Sequence, residues 1–113
     1  TYSNAAKESM LGVKSATLKE FGAVSQQTAE QMAHGALAHS DAHIAVAITG
    51  IAGPGGASRG KPVGLVHFAA AARDGRRVHR AKRFGKIGRR KVRLKSVVEA
   101  LAMLELLASG AHV

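Results

Sequence analysis

Apolar residues recur at helical spacing in two segments of the chain, residues 26–39 and residues 89–108. The shared face of the first consists of Ala29, Met32, Ala33, Ala36 and Leu37. The predicted buried stripe of the second consists of Val92, Val97, Leu101, Leu104 and Ala108. Ser25 stands where the N-cap of the first helix belongs. A helix is predicted before it from the Ser3-Asn4 cap to Leu11, with Gly12 as its stop, and a short second turn is predicted from Ser15 to Gly22.

Three runs that are too short for helices predict β-strands. The run HIAVAIT at 43–49 is apolar and rich in β-branched residues, which is typical of a strand buried on both faces. A second strand, PVGLVHFAAAA at 62–72, is joined by an Asp74-Gly75 turn to a third, RRVHRAKRF at 76–84, whose charges suit a sheet edge. The order α-α-β-β-β-α predicts an α/β protein in which helices cover a mixed sheet.

Composition narrows the class of protein. With 113 residues, of which 46% are apolar, the chain is predicted to form one domain with a modest core. It has no uninterrupted run of 18 apolar residues and no cysteine, and its first residues lack the features of a secretory signal. We therefore expect no membrane span, no disulfide, no thiolate metal site and a cytoplasmic location.

Positive charge is concentrated in residues 73–95, which hold 12 of the 17 lysines and arginines and one acid, Asp74. Such a segment suits an anionic partner, which could be a nucleotide, a nucleic acid or an acidic protein. The alternative is a solvated strand edge and helix face. A nucleic-acid partner is not expected, because aromatic residues for base stacking make up only 4% of the chain.

The stretch TGIAGPGG at 49–56 directly follows the first predicted strand. Its four glycines and its proline exclude a helix or the middle of a strand. Backbone N–H groups in such a loop can bind an anion, although the stretch fits neither the P-loop nor the GxGxxG pattern. A tight connection without a ligand is the alternative.

Two further groups of side chains could carry chemistry. A lysine shielded from water has a lowered pKa and can act as a general base. Lys7, five residues after Tyr2 at a strand-to-helix turn, is the candidate, and an exposed lysine on an N-terminal helix is the alternative. His67 and His79 could face each other across the hairpin. Because the histidines lack the spacing of metal ligands, we expect structural histidines and predict no metal site.

Four stretches occur in the order and spacing of the CinA C-terminal domain family: TYSNAAKESMLGV, GAVSQQTAEQMAHGAL, AVAITGIAGPGG and KPVGLVHFA. The chain resembles this family, the nicotinamide-nucleotide amidase domain of competence/damage-inducible proteins, over essentially all of its length. The resemblance implies a three-layer α/β/α sandwich. It also implies hydrolysis of the carboxamide of nicotinamide mononucleotide to nicotinate mononucleotide and ammonia, by a serine–lysine mechanism without metal or organic cofactor.

The resemblance also implies roles for individual residues. The lysine and tyrosine of the family's TYSNxxK motif fall on Lys7, the expected base, and on Tyr2, expected to steady it or to pass a proton to the leaving ammonia. The loop is expected to form one wall of the nucleotide site, its glycines leaving space for the ligand. The expected loop residues are Thr49, Gly50, Ile51, Ala52, Gly53 and Pro54. Gly64, with Pro62, is expected to shape the neighbouring wall, and Arg89 in FGKIGR to hold the substrate's phosphate.

The family's nucleophilic serine belongs to an AESCTGG motif upstream of TYSN, and the 113 residues contain no such motif. We therefore expect a single, N-terminally incomplete domain (1–113) that lacks one strand and one helix of the sandwich and has an incomplete active site. The alternative is a non-catalytic binding or structural module that has a basic surface and is related to competence or DNA damage. The edge strand and uncovered apolar surface favour a homo-oligomer, a dimer or larger.

Overall fold

The computed structural model describes residues 3–110, which form four helices and one three-stranded sheet. The helices are α1 (Asn4–Leu11), α2 (Ser15–Phe21), α3 (Gln26–Ala38) and α4 (Arg89–Ala108). The strands are β1 (Ile44–Gly50), β2 (Leu65–Ala72) and β3 (Arg77–Arg83). The predicted order of the three strands and of the helices around them is confirmed, and α2 is an additional helix where a short turn was predicted. None of the helices in this range has the length and apolar character needed to cross a membrane, and the cytoplasmic location stays a prediction.

Local capping explains where the first and third helices begin. The Ser3 hydroxyl accepts a hydrogen bond from the Ala6 amide at 3.0 Å, and the Ser25 hydroxyl accepts one from the Thr28 amide at 3.2 Å. Both predicted N-caps are confirmed. Gly12 ends α1 with a φ of +69°, in the left-handed region that glycine adopts without strain.

The sheet is an antiparallel meander in the order β1-β2-β3. Ala47 pairs with Ala69 across β1 and β2, and the Asp74-Gly75 turn joins β2 to β3 as predicted. Within residues 3–110 the strands pair only antiparallel, so in this part of the chain the sheet is antiparallel rather than mixed as predicted. The reason is that no crossover helix separates neighbouring strands, and parallel neighbours require one. β3 lies at an edge, as its charges predicted.

Helices cover both faces of the sheet, because alternate residues of each strand point to opposite sides. On one face α3 packs Met32 against Ala69, and we call this face the α3 side. On the other face α4 packs Met103 against Phe68, both of them 0% exposed, and we call this face the α4 side. The three-layer α/β/α arrangement is thereby confirmed. Most of β1 is only half-buried, because no strand within residues 3–110 pairs with its outer edge.

The buried stripe of α4 differs from the predicted one. Val92 is buried as predicted, whereas Val97 and Leu101 are 52% and 59% exposed. The residues that face the sheet are Val92, Ser96, Ala100, Met103 and Leu107. Ser96 is tolerated among them because its hydroxyl donates to the Val92 carbonyl at 2.7 Å. The predicted stripe was wrong because α4 carries apolar residues on more than one face.

Arg73, just after β2, ties the end of α3 to the beginning of β1. Its guanidinium donates to the carbonyls of Leu37 at 2.8 Å, Ser40 at 2.9 Å and Ala42 at 2.8 Å. Its backbone N–H donates to the His43 carbonyl at 2.8 Å. One side chain therefore satisfies carbonyls that the end of a helix leaves without intrahelical partners.

Candidate active site

Lys7 is buried on α1, where it is 5% exposed. The same helix packs closely on α3. A Cβ at Gly35 of α3 would lie only 1.6 Å from the Leu11 carbonyl oxygen. Burial lowers the pKa of Lys7 below its ordinary value of 10.5, because desolvation penalises the charged form. The alternative of an exposed lysine is excluded, while the role of Lys7 stays a prediction. Tyr2 lies outside the described residues.

Thr49 lies on the α3 side at the end of β1 and is 7% exposed. Its hydroxyl donates to the Ala23 carbonyl at 2.7 Å. Two more hydroxyls donate to the same connection, since Ser25 and Thr28 reach the Gly22 carbonyl at 3.0 Å and 2.7 Å. The three bonds fix residues 22–25 beside the glycine loop. Sequence reasoning found Ser25 only as a cap and missed this convergence, because the partners lie far apart along the chain.

The glycine loop is closed by hydrogen bonds within the chain. The Ile51 amide donates to the Leu65 carbonyl at 2.9 Å, and the Gly64 amide donates to the Ile51 carbonyl at 2.7 Å. These two backbone donors serve the fold rather than a ligand. Pro54 follows Gly53 through a cis peptide bond and is exposed. The loop therefore offers fewer N–H groups to a ligand than the sequence suggested.

Packing within the chain explains one glycine of the loop, Gly53, and the glycine of the neighbouring wall, Gly64. A Cβ on Gly53 would lie 2.6 Å from Val63 Cγ1, and one on Gly64 would lie 2.3 Å from the Gly85 backbone nitrogen. Both glycines also have positive φ, +83° and +92°. At these positions contacts inside the fold, rather than space for a ligand, explain why the residue is glycine. Gly55 differs, because a Cβ there would meet no atom within 4 Å.

Other predicted residues of the loop lie on the α4 side. Gly50 and Ala52 line a cavity of about 260 Å³ together with Val92 and Arg93 of α4. In this cavity the loop meets a basic side chain, that of Arg93. The resemblance pointed to Arg89 and gave no signal for Arg93.

Arg89 is exposed at the first residue of α4 and lines a shallow depression with Arg90 and Arg93. The structure thus divides the predicted site residues between two faces. Thr49 lies on the α3 side, as does α1 with Lys7, whereas Arg89 begins the helix on the α4 side. Within residues 3–110 Arg89 forms no ion pair.

The basic segment 73–95 is not one continuous patch. Arg76 pairs with Asp74 at 2.9 Å, and Arg80 pairs with Glu99 of α4 at 2.7 Å. The basic residues at the beginning of α4 are exposed: Arg89, Arg90, Lys91, Arg93 and Lys95. Arg76 and Arg80 therefore take part in ion pairs within the fold, whereas the cations at the beginning of α4 are exposed. Residues 3–110 contain no group of three or more side chains able to hold a metal ion.

Comparisons with known proteins agree with the motifs. The model of the CinA C-terminal domain matches residues 1–108. The chain is 50% identical to the nicotinamide-nucleotide amidohydrolase PncC of Enterobacter agglomerans over 101 residues, which are 89% of this chain and 61% of that protein.

Solved structures show the same similarity. The competence/damage inducible protein CihA from Agrobacterium tumefaciens matches with a TM-score of 0.94 and 60% identity, over 96% of this chain and 66% of that chain. The competence damage-inducible protein A (ComA) from Klebsiella pneumoniae matches with a TM-score of 0.88 and 39% identity, again over 96% and 66%. The chain therefore spans less than two thirds of the length of these relatives.

Proposed function

Because the chain belongs to the CinA C-terminal domain family, we propose that it supplies the lysine side of a nicotinamide-nucleotide amidase site. The proposed substrate is nicotinamide mononucleotide or a related amide, and the products are nicotinate mononucleotide and ammonia. The observation that carries the proposal is the burial of Lys7, which lowers its pKa. A lysine amine that is neutral can accept the proton of a hydroxyl nucleophile.

The proposed chemistry is acyl transfer. A serine hydroxyl attacks the carboxamide carbon while the amine of Lys7 accepts its proton, which gives a tetrahedral intermediate. The C–N bond then breaks, and the proton passes to the leaving nitrogen to form ammonia. Water hydrolyses the acyl-enzyme and releases nicotinate mononucleotide. Tyr2 is proposed to steady Lys7 or to deliver the proton.

The nucleophile is proposed to come from a segment that this chain does not contain. The hydroxyls beside the loop already donate to carbonyls, those of Ser25 and Thr28 to Gly22 and that of Thr49 to Ala23. The 113 residues contain no AESCTGG motif, and the chain covers 61% of the PncC relative. We propose that the serine belongs to the part that is not covered.

The substrate wall is proposed to consist of Thr49, Gly50, Ile51, Ala52, Gly53, Pro54 and Gly64. Arg89 is exposed on the α4 side. We therefore propose that it attracts the anionic nucleotide over a distance, as part of the net charge of +10. This role differs from the direct phosphate contact expected from the resemblance.

Ammonia release from nicotinamide mononucleotide tests the proposal, measured on the complete gene product that contains these residues. We expect Lys7→Ala to lower kcat/KM by about 10³-fold or more, because the nucleophile loses its base. Lys14→Ala is the matched control, since Lys14 is an exposed lysine just after α1. A Lys7→Ala enzyme that folds normally by circular dichroism and keeps near-wild-type activity would contradict the proposal.

A non-catalytic binding or structural module is the second candidate function. The absence of AESCTGG from the 113 residues favours it. The gene sequence upstream of the Thr1 codon separates the two candidates. An AESCTGG-like stretch there supports the amidase, and a start codon directly before Thr1 supports the module.

A homo-oligomer is proposed for either candidate. Large apolar side chains on α4 are exposed: Leu94, Val97, Val98 and Leu101, at 56%, 52%, 69% and 59%. Contiguous apolar surface of this kind favours association. Light scattering after size exclusion tests the proposal, and a monomer at high concentration would contradict it.

A further inference from the structure

Two histidines that the proposed chemistry does not use lie against each other on the α3 side. The Nδ1 atom of His67 on β2 is 3.1 Å from the Nε2 atom of His79 on β3. The ring centroids are 5.3 Å apart with 24° between the planes, so the two rings meet edge to edge through this contact. His67 is the cross-strand partner of Thr49. The imidazole pair therefore lies beside the residue at which the glycine loop begins.

Two cationic side chains lie close to this pair. Arg83 is on the same side of β3 as His79 and pairs with Leu65, two residues before His67. The Lys61 ammonium donates to the Phe21 carbonyl, which holds it at the end of α2. Burial lowers the pKa of His67 most, and the positive charges of His79, Lys61 and Arg83 lower it further.

Negative charge is missing at the His67 end of this cluster. Within residues 3–110 no carboxylate forms an ion pair with Lys61 or Arg83. From α3, Glu30 and His34 face His79 across a cavity of about 250 Å³ that Arg77 also lines. Glu30 accepts a hydrogen bond from the side-chain amide of Gln26 at 2.7 Å. The Glu30 carboxylate therefore lies at a cavity shared with Arg77 and His79, and in the described part of the chain Lys61 and Arg83 have no carboxylate partner.

We propose that His67, His79, Lys61 and Arg83 form a binding site for a phosphate or phosphate monoester dianion. One proton shared between the facing nitrogens leaves the outer nitrogens, His67 Nε2 and His79 Nδ1, which point away from each other. When the pair carries one further proton, it keeps its internal hydrogen bond and both outer nitrogens carry N–H groups. His67 Nε2–H is then the donor from the pair to the ligand, and His79 holds His67 in this orientation through the shared proton. Lys61 and Arg83 add charged donors, which bind phosphate oxygens strongly. The dianion takes the place of the missing counter-ion.

The identity of the dianion connects this site to the glycine loop. Because His67 is directly across from Thr49, a phosphate here would lie at the α3 side of the proposed substrate wall. That this phosphate belongs to the mononucleotide rests on the proposed function. Anion binding itself rests only on the four side chains.

Histidine ring resonances of the 113-residue chain, followed by NMR during pH titrations, test the site without any need for catalysis. Inorganic phosphate is compared with chloride at equal ionic strength. We expect phosphate to raise the apparent pKa of the His67–His79 pair by about 1 or more, because an opposite charge favours the protonated form. His43, an exposed histidine just before β1, is the internal control and should not respond.

Variants and ligands then separate the possible outcomes. We expect Arg83→Gln and His67→Gln to weaken phosphate binding about tenfold or more, and Lys14→Gln, at an exposed lysine just after α1, to leave it unchanged. Nicotinamide mononucleotide should act like phosphate, whereas nicotinamide riboside, which lacks the phosphate, should not. A pair whose titration ignores phosphate, or an Arg83→Gln chain that binds it as well as wild type, overturns the site. A response to phosphate but not to the mononucleotide refutes only its assignment to the substrate, and leaves the Lys7 test unaffected.

Discussion

Replacing Gly35 with alanine tests how tightly α1 is held on α3. The added Cβ would lie 1.6 Å from the Leu11 carbonyl oxygen and 2.5 Å from its carbonyl carbon, and both are backbone atoms that cannot rotate away. The helices must therefore separate until the first distance reaches at least 3.0 Å. Overpacking of this kind costs about 3 kcal/mol at its upper range, and the better helix propensity of alanine offsets about 1 kcal/mol. The expected net loss is about 2 kcal/mol.

Thermal and urea unfolding followed by circular dichroism measure this loss. For a domain of this size, about 2 kcal/mol corresponds to a fall in Tm of about 8 °C. Gly55→Ala is the matched control, because its φ is not positive and a Cβ there meets no atom within 4 Å. Its effect should stay within about 0.5 kcal/mol. If Gly35→Ala unfolds at the same temperature as Gly55→Ala, the close approach of the two helices is refuted.

The same substitution has a consequence for the proposed base. Lys7 lies one turn before Leu11 on α1 and is buried. When α1 moves away from α3, water reaches the ammonium and the desolvation that lowers its pKa becomes smaller. The pKa of Lys7 in Gly35→Ala should therefore rise toward its ordinary value. NMR of the lysine side chain measures this change, and Gly55→Ala should not show it.

Three further predictions follow from single contacts. Because the folded-state pKa of Lys7 lies below its ordinary value of 10.5, the unfolded chain binds a proton between these two pH values that the folded chain does not. The free energy of unfolding of the wild type relative to Lys7→Met should therefore rise with pH up to about 10.5 in urea unfolding. A difference between the two proteins that does not change with pH would argue against desolvation. In Gly64→Ala the added Cβ collides with backbone atoms, whereas Gly60 has a similar positive φ and open space around it. Gly64→Ala should therefore lose about 1–3 kcal/mol more stability than Gly60→Ala in thermal unfolding, and equal losses would exclude the collision. In the complete gene product, Arg89→Ala and Arg90→Ala should each raise KM for the mononucleotide by a few-fold, and the increase should be smaller at high salt. A much larger increase for Arg89→Ala than for Arg90→Ala would show a direct phosphate contact.

Features that depend on neighbouring residues could be predicted from the sequence. The caps at Ser3 and Ser25 and the stop at Gly12 were predicted correctly, because a cap is formed by residues within one helical turn. The bounds of α4 were also predicted correctly, from the helical spacing of its apolar residues rather than from a cap, since its N-cap Gly88 makes no side-chain hydrogen bond. The second strand begins at Leu65 rather than at residue 62, because the preceding residues close the glycine loop.

Features that depend on distant parts of the chain could not be predicted. The face of α4 that packs on the sheet includes Ser96 and excludes Val97, and the helix alone does not show which apolar residues find a partner. The spacing of the residues also did not indicate that Arg89 and Lys7 lie on opposite sides of the sheet. The His67–His79 pair was within reach of sequence reasoning, because a hairpin brings the two strands together. Lys61, the lysine beside the pair, comes from outside the hairpin register and could not be predicted there.

Arg73 couples the local unfolding of the end of α3 to that of the beginning of β1. Its guanidinium bonds the Leu37, Ser40 and Ala42 carbonyls at once. The last turn of the helix therefore cannot fray without also freeing the chain that enters the sheet. The connection between the two elements should behave as one cooperative unit in hydrogen exchange, with its amides opening at a shared free energy. A lysine at this position would hold fewer carbonyls, because a single ammonium lacks the planar fork of donors that joins them.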